Sequence, residues 1–145
     1  MINEIVTDVA KLSVPCVPVA EGDFIGDITG DLVATAEHYK NKGKYGCSGL
    51  AANQIGYDKR IFVVDLGGKF VPMINPVIVK KWGGMVSKPE GCLSFPGQEH
   101  KVSRYKRIRL AFNDYRDGAR IEFNFKGFAA RVIQHELDHL DGKHI

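Results

Sequence analysis

The sequence has few cysteines, no long apolar run, and no repeated or low-complexity segment. Its three cysteines, Cys16, Cys47 and Cys92, make an odd count at unrelated spacings, which predicts reduced thiols and excludes a disulfide framework. The first twenty residues include the charged residues Glu4 and Asp8 and no sustained apolar stretch, so neither a signal peptide nor a membrane span is predicted. We therefore expect a cytoplasmic protein.

Neither sign of charge dominates the chain. Twenty Lys and Arg against 17 Asp and Glu give a net charge of +3, and the hydrophobic fraction of 44% is ordinary for a globular protein. This balance argues against disorder and gives no reason to expect a DNA or membrane partner. A length of 145 residues predicts a single domain, 1–145, with its own core.

One local cluster is basic, and it comprises Lys101, Arg104, Lys106, Arg107 and Arg109. It interleaves with apolar residues at strand spacing, so that Ile108 and Leu110 are predicted to face one way and Arg107 and Arg109 the other. Two interpretations stay open, a solvated strand face, which we favour, and a contact with phosphate or RNA.

Helical periodicity is clear near the start of the chain. Asp23 is placed to cap a helix that runs to about Lys42, and glycines at 43 and 46 are expected to end it. The apolar stripe of this helix comprises Ile25, Ile28, Leu32, Ala36 and Tyr39.

Strand patterns fill the middle of the chain. Residues 61–65, 69–74 and 76–80 are β-rich runs separated by a Gly-Gly pair or a proline. Further on, Asp117 and Gly118 separate two alternating segments, which predicts a hairpin.

The chain closes on a helix that is predicted to run from Gly127 to Gly142. The residues expected to pack inward from it are Phe128, Val132, Ile133 and Leu140. Together these patterns predict an α+β fold, with antiparallel β-sheets packed around a C-terminal helix and a further helix near the N-terminus.

The C-terminal helix contains the segment QHELDH, residues 134–139. His135 and His139 are four residues apart, hence only about 40° apart around a helix, and can share one metal ion. Glu136 can then reach a water molecule without being a ligand itself, which is the mechanical content of an HExxH motif. The alternative is a polar helix face with no ion.

A hydrolytic metal site needs a third protein ligand and one open position. The candidate side chains are Glu90, Cys92, Cys47, Cys16, His100, His38 and His144. Only Cys92 lies within a stretch that has other unusual features, EGCLSFPG at 90–97, where glycine allows close approach and Pro-Gly breaks the strand.

A second unusual stretch is GLAANQIG, residues 49–56. Its small residues let backbone come close to a ligand, and Gln54 offers an uncharged amide donor for a developing oxyanion. The same stretch is also compatible with an ordinary tight strand or turn.

Taken together, the segments CSGLAANQ, EGCLS and HELDH resemble the peptide deformylase family, whose marks are GxGLAAxQ, EGCLS and HExDH in that order. The resemblance covers Gly49 through His139, and the first forty residues match only loosely. Cys47 stands where the family pattern has its first glycine.

This resemblance implies a metal-dependent amidase that removes the formyl group from the N-terminal formylmethionine of nascent polypeptides. The implied metal ligands are Cys92, His135 and His139. Glu136 is the implied general base and acid, acting on the water at the ion and then on the leaving amine.

The resemblance also implies the groups that hold the substrate. Gln54 and the backbone N–H of Leu93 would bind the oxyanion, and the Gly49 carbonyl would orient the formyl-bearing amide. Phe128 and Val132 can line a methionine pocket, although plain core packing is an equal alternative for this pair.

The role of Asp138 and the identity of the metal stay open. Asp138 either holds a ligand imidazole through its other nitrogen or belongs to a polar face. Ligand preference alone favours zinc, whereas the resemblance implies Fe²⁺, with Zn²⁺, Ni²⁺ or Co²⁺ able to replace it. We follow the family, and we expect a monomer that contacts the ribosome transiently.

Two other functions compete with this interpretation. One is a zinc endopeptidase that uses the same helix with a different third ligand. The other is a non-enzymatic metal-binding or RNA-contacting module in which Glu136 is incidental, which would require a closed site with a fourth ligand.

Overall fold

Antiparallel strands and two long helices form the fold in the computed structural model, which describes residues 1–145. The strands pair in chain order to form one five-stranded sheet. They are β1 (Gly49–Ala51), β2 (Ile61–Leu66), β3 (Lys69–Glu90), β4 (His100–Asp114) and β5 (Arg120–Lys126). The helices are α1 (Val9–Leu12), α2 (Gly26–Tyr39) and α3 (Gly127–Leu140). The predicted α+β class is confirmed.

The two long helices lie on opposite faces of the sheet. Successive side chains of a strand point to opposite faces, so a strand that is covered on both sides buries both rows of its side chains. Helix α3 packs one core, which includes Phe62, Met73, Leu110, Ile133 and Leu140. Helix α2 packs a second core, which includes Ile28, Leu32, Leu50, Ile61 and Ile74. The sheet therefore holds α3 in place through a fully buried apolar surface. No helix is both long enough and apolar enough to cross a membrane.

Strand β3 differs from its prediction. The sequence predicted separate strands at 69–74 and 76–80, but one strand runs from Lys69 to Glu90. The pairing with β4 shifts register between Ile74 and Val77, and Asn75 has a φ of 50° there. Pro76 thus falls in a bulge, where its missing N–H costs no ladder hydrogen bond.

Helix α2 is shorter than predicted, at Gly26–Tyr39. The Asp23 carboxylate accepts a hydrogen bond from the Ala20 N–H at 2.9 Å and closes a turn, so it does not cap the helix. The buried stripe is confirmed at its centre, where Ile28, Leu32 and Ala36 face the core. The single turn of α1 was not predicted.

The predicted hairpin and final helix are confirmed. Gly118 has a φ of 75°, in the left-handed region that favours glycine, and lies in the turn between β4 and β5. Helix α3 begins at Gly127 and ends at Leu140, and Gly142 follows with a φ of 75°. This places residues 134–139 on the last turns of a helix that is anchored to the sheet.

Candidate metal centre and pocket

Three side chains from two parts of the chain meet beside the last turns of α3. One sulfur of Cys92 and one ring nitrogen each of His135 and His139 all lie within 4.8 Å of one another. Sγ of Cys92 is 3.3 Å from Nε2 of His139. The predicted juxtaposition of the thiol and the imidazole pair is therefore present.

The end of β3 positions the thiol. β3 ends at Glu90, and the chain then turns, with the Phe95 N–H donating to the Cys92 carbonyl at 3.0 Å. The pairing of β3 with β4 fixes where this turn begins, and α3 packs against the same sheet. Sheet and helix thus hold Cys92 and the two histidines independently of any ion.

A buried carboxylate orients one of the imidazoles. Nδ1 of His135 lies 2.9 Å from Oε1 of Glu90, which leaves Nε2 of His135 as the nitrogen available to the site. Glu90 also accepts hydrogen bonds from Arg104 and Arg131. Although burial opposes the shift, the hydrogen bonds from His135 and Arg104 lower the pKa of Glu90 to about 2.

This network decides one role that the sequence left open and corrects one expectation. Of the two roles open for Asp138, the contact with an imidazole is not formed, and the carboxylate instead accepts a hydrogen bond from Arg104. Arg104 itself was grouped with a solvated strand face, but it is buried between Glu90 and Asp138. The alternation predicted for the rest of that strand is confirmed, since Ile108 and Leu110 are buried.

Glu136 lies buried next to the three donors. A side chain on Gly49 would meet the Glu136 carboxylate, since a Cβ there would lie 2.8 Å from Oε2 of Glu136. Oε1 of Glu136 is buried and has no hydrogen-bond partner in the chain. Burial raises the pKa of Glu136 to about 7. A carboxyl group of this kind can both take up and release a proton near neutral pH.

The donor set fits a divalent transition-metal ion. One thiolate and two imidazoles suit Fe²⁺, Co²⁺, Ni²⁺ and Zn²⁺, and only three such side chains converge here. Burial lowers the pKa of His139 to about 3, so this ring is neutral, as a ligand must be. The unpartnered oxygen of Glu136 is a further buried polar atom facing this site.

Amide donors border the site on the other side. Gln54 is buried, its Oε1 accepts from the Ala51 N–H at 3.0 Å, and its Nε2 lies 3.4 Å from Sγ of Cys92. Nε2 also donates to Oγ of Ser94 at 3.1 Å. The Leu93 N–H, in the turn next to Cys92, donates to no backbone group of the chain. Gln54 and Leu93, the second of which only the family resemblance implied, therefore both lie next to Cys92.

A cavity of about 110 Å³ opens from this centre to the surface. Val132 lines it and also packs in the core. Phe128 was expected to pack inward, but its side chain is 68% exposed and lines the mouth of the cavity.

The wall opposite α3 was not predicted. The ring of Tyr45 packs directly on Gly91, where a Cβ would lie 2.3 Å from a ring carbon. Beside it, Nζ of Lys44 pairs with the Glu99 carboxylate at 2.8 Å and links the two loops that border the cavity. Only the glycine in EGCLS gave a sequence signal for this contact.

Known proteins resemble this chain over almost its whole length. The family profile described as polypeptide deformylase matches residues 2–145. A peptide deformylase of Clostridium beijerinckii is 40% identical over 148 residues, covering 98% of each chain.

Two solved structures are similar over almost the whole fold. The peptide deformylase of Thermotoga maritima superposes with a TM-score of 0.88 at 35% identity, covering 99% of this chain and 95% of that one. The deformylase of the Vibrio parahaemolyticus bacteriophage VP16T, solved in complex with actinonin, gives 0.87 at 34% identity, covering 98% and 99%. By its sequence, and with a fold to match, the chain belongs to the polypeptide deformylase family.

Proposed function

We propose that the cavity beside Cys92, His135 and His139 is where this chain carries out the reaction of its family. That reaction is the metal-dependent hydrolysis of the formyl group from formylated nascent peptides, and the chain is accordingly a metal-dependent hydrolase. The observation that carries the assignment of the site is the convergence of one thiol and two imidazoles within 4.8 Å. We further propose that residues 1–145 form one catalytic domain, because both long helices pack on the same sheet.

Cys92, His135 and His139 would hold the ion, His135 through the Nε2 atom that Glu90 leaves free. When bound, a divalent ion supplies Lewis-acid chemistry, since it polarises a carbonyl oxygen and makes a nearby water more acidic. We propose Fe²⁺ as the resident ion, and Zn²⁺, Ni²⁺ and Co²⁺ as ions that the same donors can hold. Metal analysis after anaerobic purification tests this identity.

Glu136 would move the proton. Its carboxylate takes a proton from the attacking water and then gives it to the nitrogen of the leaving amine, so water and the formyl amide become formate and a free N-terminus. Its raised pKa of about 7 supports both halves of this role. Because Gly49 has no side chain, the Glu136 carboxylate has room to lie next to the substrate carbonyl.

The donors beside Cys92 would bind the oxyanion that forms when water adds to the formyl carbon. Nε2 of Gln54 and the N–H of Leu93 both border the thiol, and neither carries a charge that would compete for the ion. The Gly49 carbonyl would accept a hydrogen bond from the substrate amide and so set its orientation. Phe128 and Val132 would contact the methionine side chain from the α3 side of the cavity.

We also propose where the chain acts and in which oligomeric state. Because the substrates are nascent peptides, we place the chain in the cytoplasm and propose a transient contact with the ribosome. We propose a monomer, since the donors, Glu136 and the cavity walls all come from one chain.

The decisive experiment measures formate released from formyl-Met-Ala-Ser. The wild-type chain should release formate, and Glu136→Gln should retain its metal but lose at least about 100-fold in kcat. Formate release that is unaffected by this substitution would refute the role of Glu136. Cleavage of internal peptide bonds that survives Cys92→Ala would instead indicate an endopeptidase.

A further inference from the structure

Basic residues greatly outnumber acidic ones in the middle of the chain, and some of them lie on the part of the sheet that α2 leaves open. Between residues 66 and 113 the sequence has nine basic residues but only two acidic ones, Glu90 and Glu99, and both of these are already paired. The nine are Lys69, Lys80, Lys81, Lys88, Lys101, Arg104, Lys106, Arg107 and Arg109. Apart from Arg104, this charge has to be carried at or near the surface.

The strand register sets like charges directly opposite one another. Lys80 pairs with Arg109, and Arg107 pairs with Lys126. Opposed like charges destabilise a strand pair. Arg109 forms an ion pair of 2.8 Å with Glu122, but the side chains of Arg107 and Lys126 are exposed and have no hydrogen bond or ion pair within the chain. Such an arrangement costs the fold stability unless an anion occupies the face.

An aromatic ring lies among these cations. Trp82 is partly exposed and pairs with Arg107, and Nζ of Lys80 lies 5.1 Å from the centre of its ring. Lys80, Trp82, Arg107 and Lys126 therefore form one surface on three neighbouring strands, which we term the basic face. None of the four lines the cavity beside Cys92.

We propose that the basic face binds RNA through its phosphate backbone, with Trp82 available to a neighbouring base. The planar guanidinium of Arg107 suits a phosphate, and lysines supply further positive charge. Aromatic rings set among basic residues on a sheet surface bind single-stranded RNA by stacking on its bases. The inference does not depend on the proposed hydrolysis, because it uses a different surface.

The chain offers a local reporter for this binding, since Trp82 is its only tryptophan. Titration with a fluorescein-labelled oligouridine should quench the Trp82 emission and raise the anisotropy of the label together. If Lys80, Arg107 and Lys126 each neutralise one phosphate, a plot of the logarithm of the affinity against the logarithm of the salt concentration should have a slope of about −2.

Paired substitutions test whether RNA binding depends on the basic face or only on the net charge of the protein. Arg107→Gln combined with Lys126→Gln should weaken RNA binding about tenfold or more and flatten the salt slope by about 1.4. The matched control, Lys11→Gln combined with Lys42→Gln, makes the same change in net charge at exposed positions elsewhere and should bind RNA as the wild type does. An equal loss in both pairs would overturn the proposal.

Lys126→Glu adds a readout that simple unfolding cannot mimic. It places a carboxylate opposite Arg107 on the neighbouring strand, so the melting temperature should rise while RNA binding is lost. Binding that leaves the Trp82 emission unchanged, or binding to phosphatidylserine vesicles but not to RNA, would also refute the proposal. Formate release from formyl-Met-Ala-Ser should be unchanged in all these variants, so the two assignments fail separately.

Discussion

The Nδ1 atom of His135 lies 2.9 Å from a carboxylate oxygen of Glu90, a residue 45 positions earlier in the chain. The contact joins the end of β3 to α3 and determines which imidazole nitrogen faces Cys92. Since Arg104 and Arg131 also bind this carboxylate, its position is fixed from three directions. The imidazole is therefore oriented by the fold before any ion binds.

We predict that Glu90→Gln weakens metal binding by about 10- to 100-fold, because an amide orients the imidazole less firmly than a carboxylate. Competition against a chromogenic chelator measures the affinity directly, without relying on turnover. The substitution also leaves the buried Arg131 without a carboxylate partner and Arg104 with Asp138 alone, so the melting temperature should fall.

Glu99→Gln is the matched control, since Glu99 pairs with Lys44 at the surface and contacts no imidazole. It should leave the metal affinity at the wild-type value. A Glu90→Gln protein that is folded and binds metal as tightly as the wild type would contradict an orienting role.

The site could be predicted from the sequence where local geometry determines it. The spacing of His135 and His139 holds on any helix, and the glycines around Cys92 mark a turn, so the juxtaposition of these three side chains could be predicted. The partner of His135 could not be predicted, because it depends on where β3 ends relative to α3. For the same reason the role of Asp138, which was left open between an imidazole partner and a polar face, could not be decided from the sequence.

In the fold, too, the elements that depend on local patterns could be predicted and those that depend on distant partners could not. Helix α3 and the Asp117–Gly118 hairpin follow from local patterns and were predicted within a few residues. The continuity of β3 through Pro76 was missed, since it requires β4 to supply a partner across a bulge. The exposure of Phe128 could not be predicted, because the helix pattern alone does not show which residues of α3 find a packing partner.

We predict that Gly49→Ala lowers kcat for formyl-Met-Ala-Ser by about 100-fold, since a small displacement of a catalytic group has effects of this size. The added Cβ would lie 2.7 Å from Cγ1 of Val132 and 2.8 Å from Oε2 of Glu136, so the carboxylate must move. Steady-state kinetics and a melting curve are the measurements.

Gly30→Ala provides the control for Gly49→Ala. Gly30 lies within α2 and a Cβ there meets nothing within 4 Å, so alanine should stabilise the helix by up to about 1 kcal/mol and leave kcat unchanged. Unchanged kcat in Gly49→Ala would show that the cavity yields without moving Glu136.

We predict that Gly91→Ala raises KM for formyl-Met-Ala-Ser about tenfold and changes kcat little. The new Cβ would lie 2.3 Å from the ring of Tyr45, and this ring, which is 42% exposed, can swing away from the cavity. Tyr45→Ala should raise KM to a similar extent, and the double variant should add little, because both changes remove the same wall.

Tyr115→Ala is the control for the Tyr45 series, since Tyr115 is a comparably exposed tyrosine that lies outside the cavity. It should keep the wild-type KM. Additive effects of Gly91→Ala and Tyr45→Ala would mean that the two residues act on the substrate separately.

Alkaline pH should destabilise the fold through Cys16, a buried thiol. Burial raises the pKa of Cys16 to about 11 from its ordinary value of 9.0. The unfolded chain therefore loses this proton from about pH 9, while the folded chain keeps it up to about pH 11. Since the pKa is raised on folding, the stabilisation is complete below pH 9 and is lost as the pH rises towards 11, by about 2 kcal/mol at pH 10.5.

Urea unfolding at pH 8 and pH 10.5 measures this loss in the wild type and in Cys16→Ala. The variant should be less stable at pH 8, because it leaves a small cavity, but its stability should fall by about 2 kcal/mol less between the two pH values. Leu12→Ala is the matched control, since it also empties a buried apolar site but keeps every thiol, and it should retain the wild-type pH dependence. Equal pH dependence in Cys16→Ala and Leu12→Ala would show that the thiol ionises as readily in the folded chain as in the unfolded one.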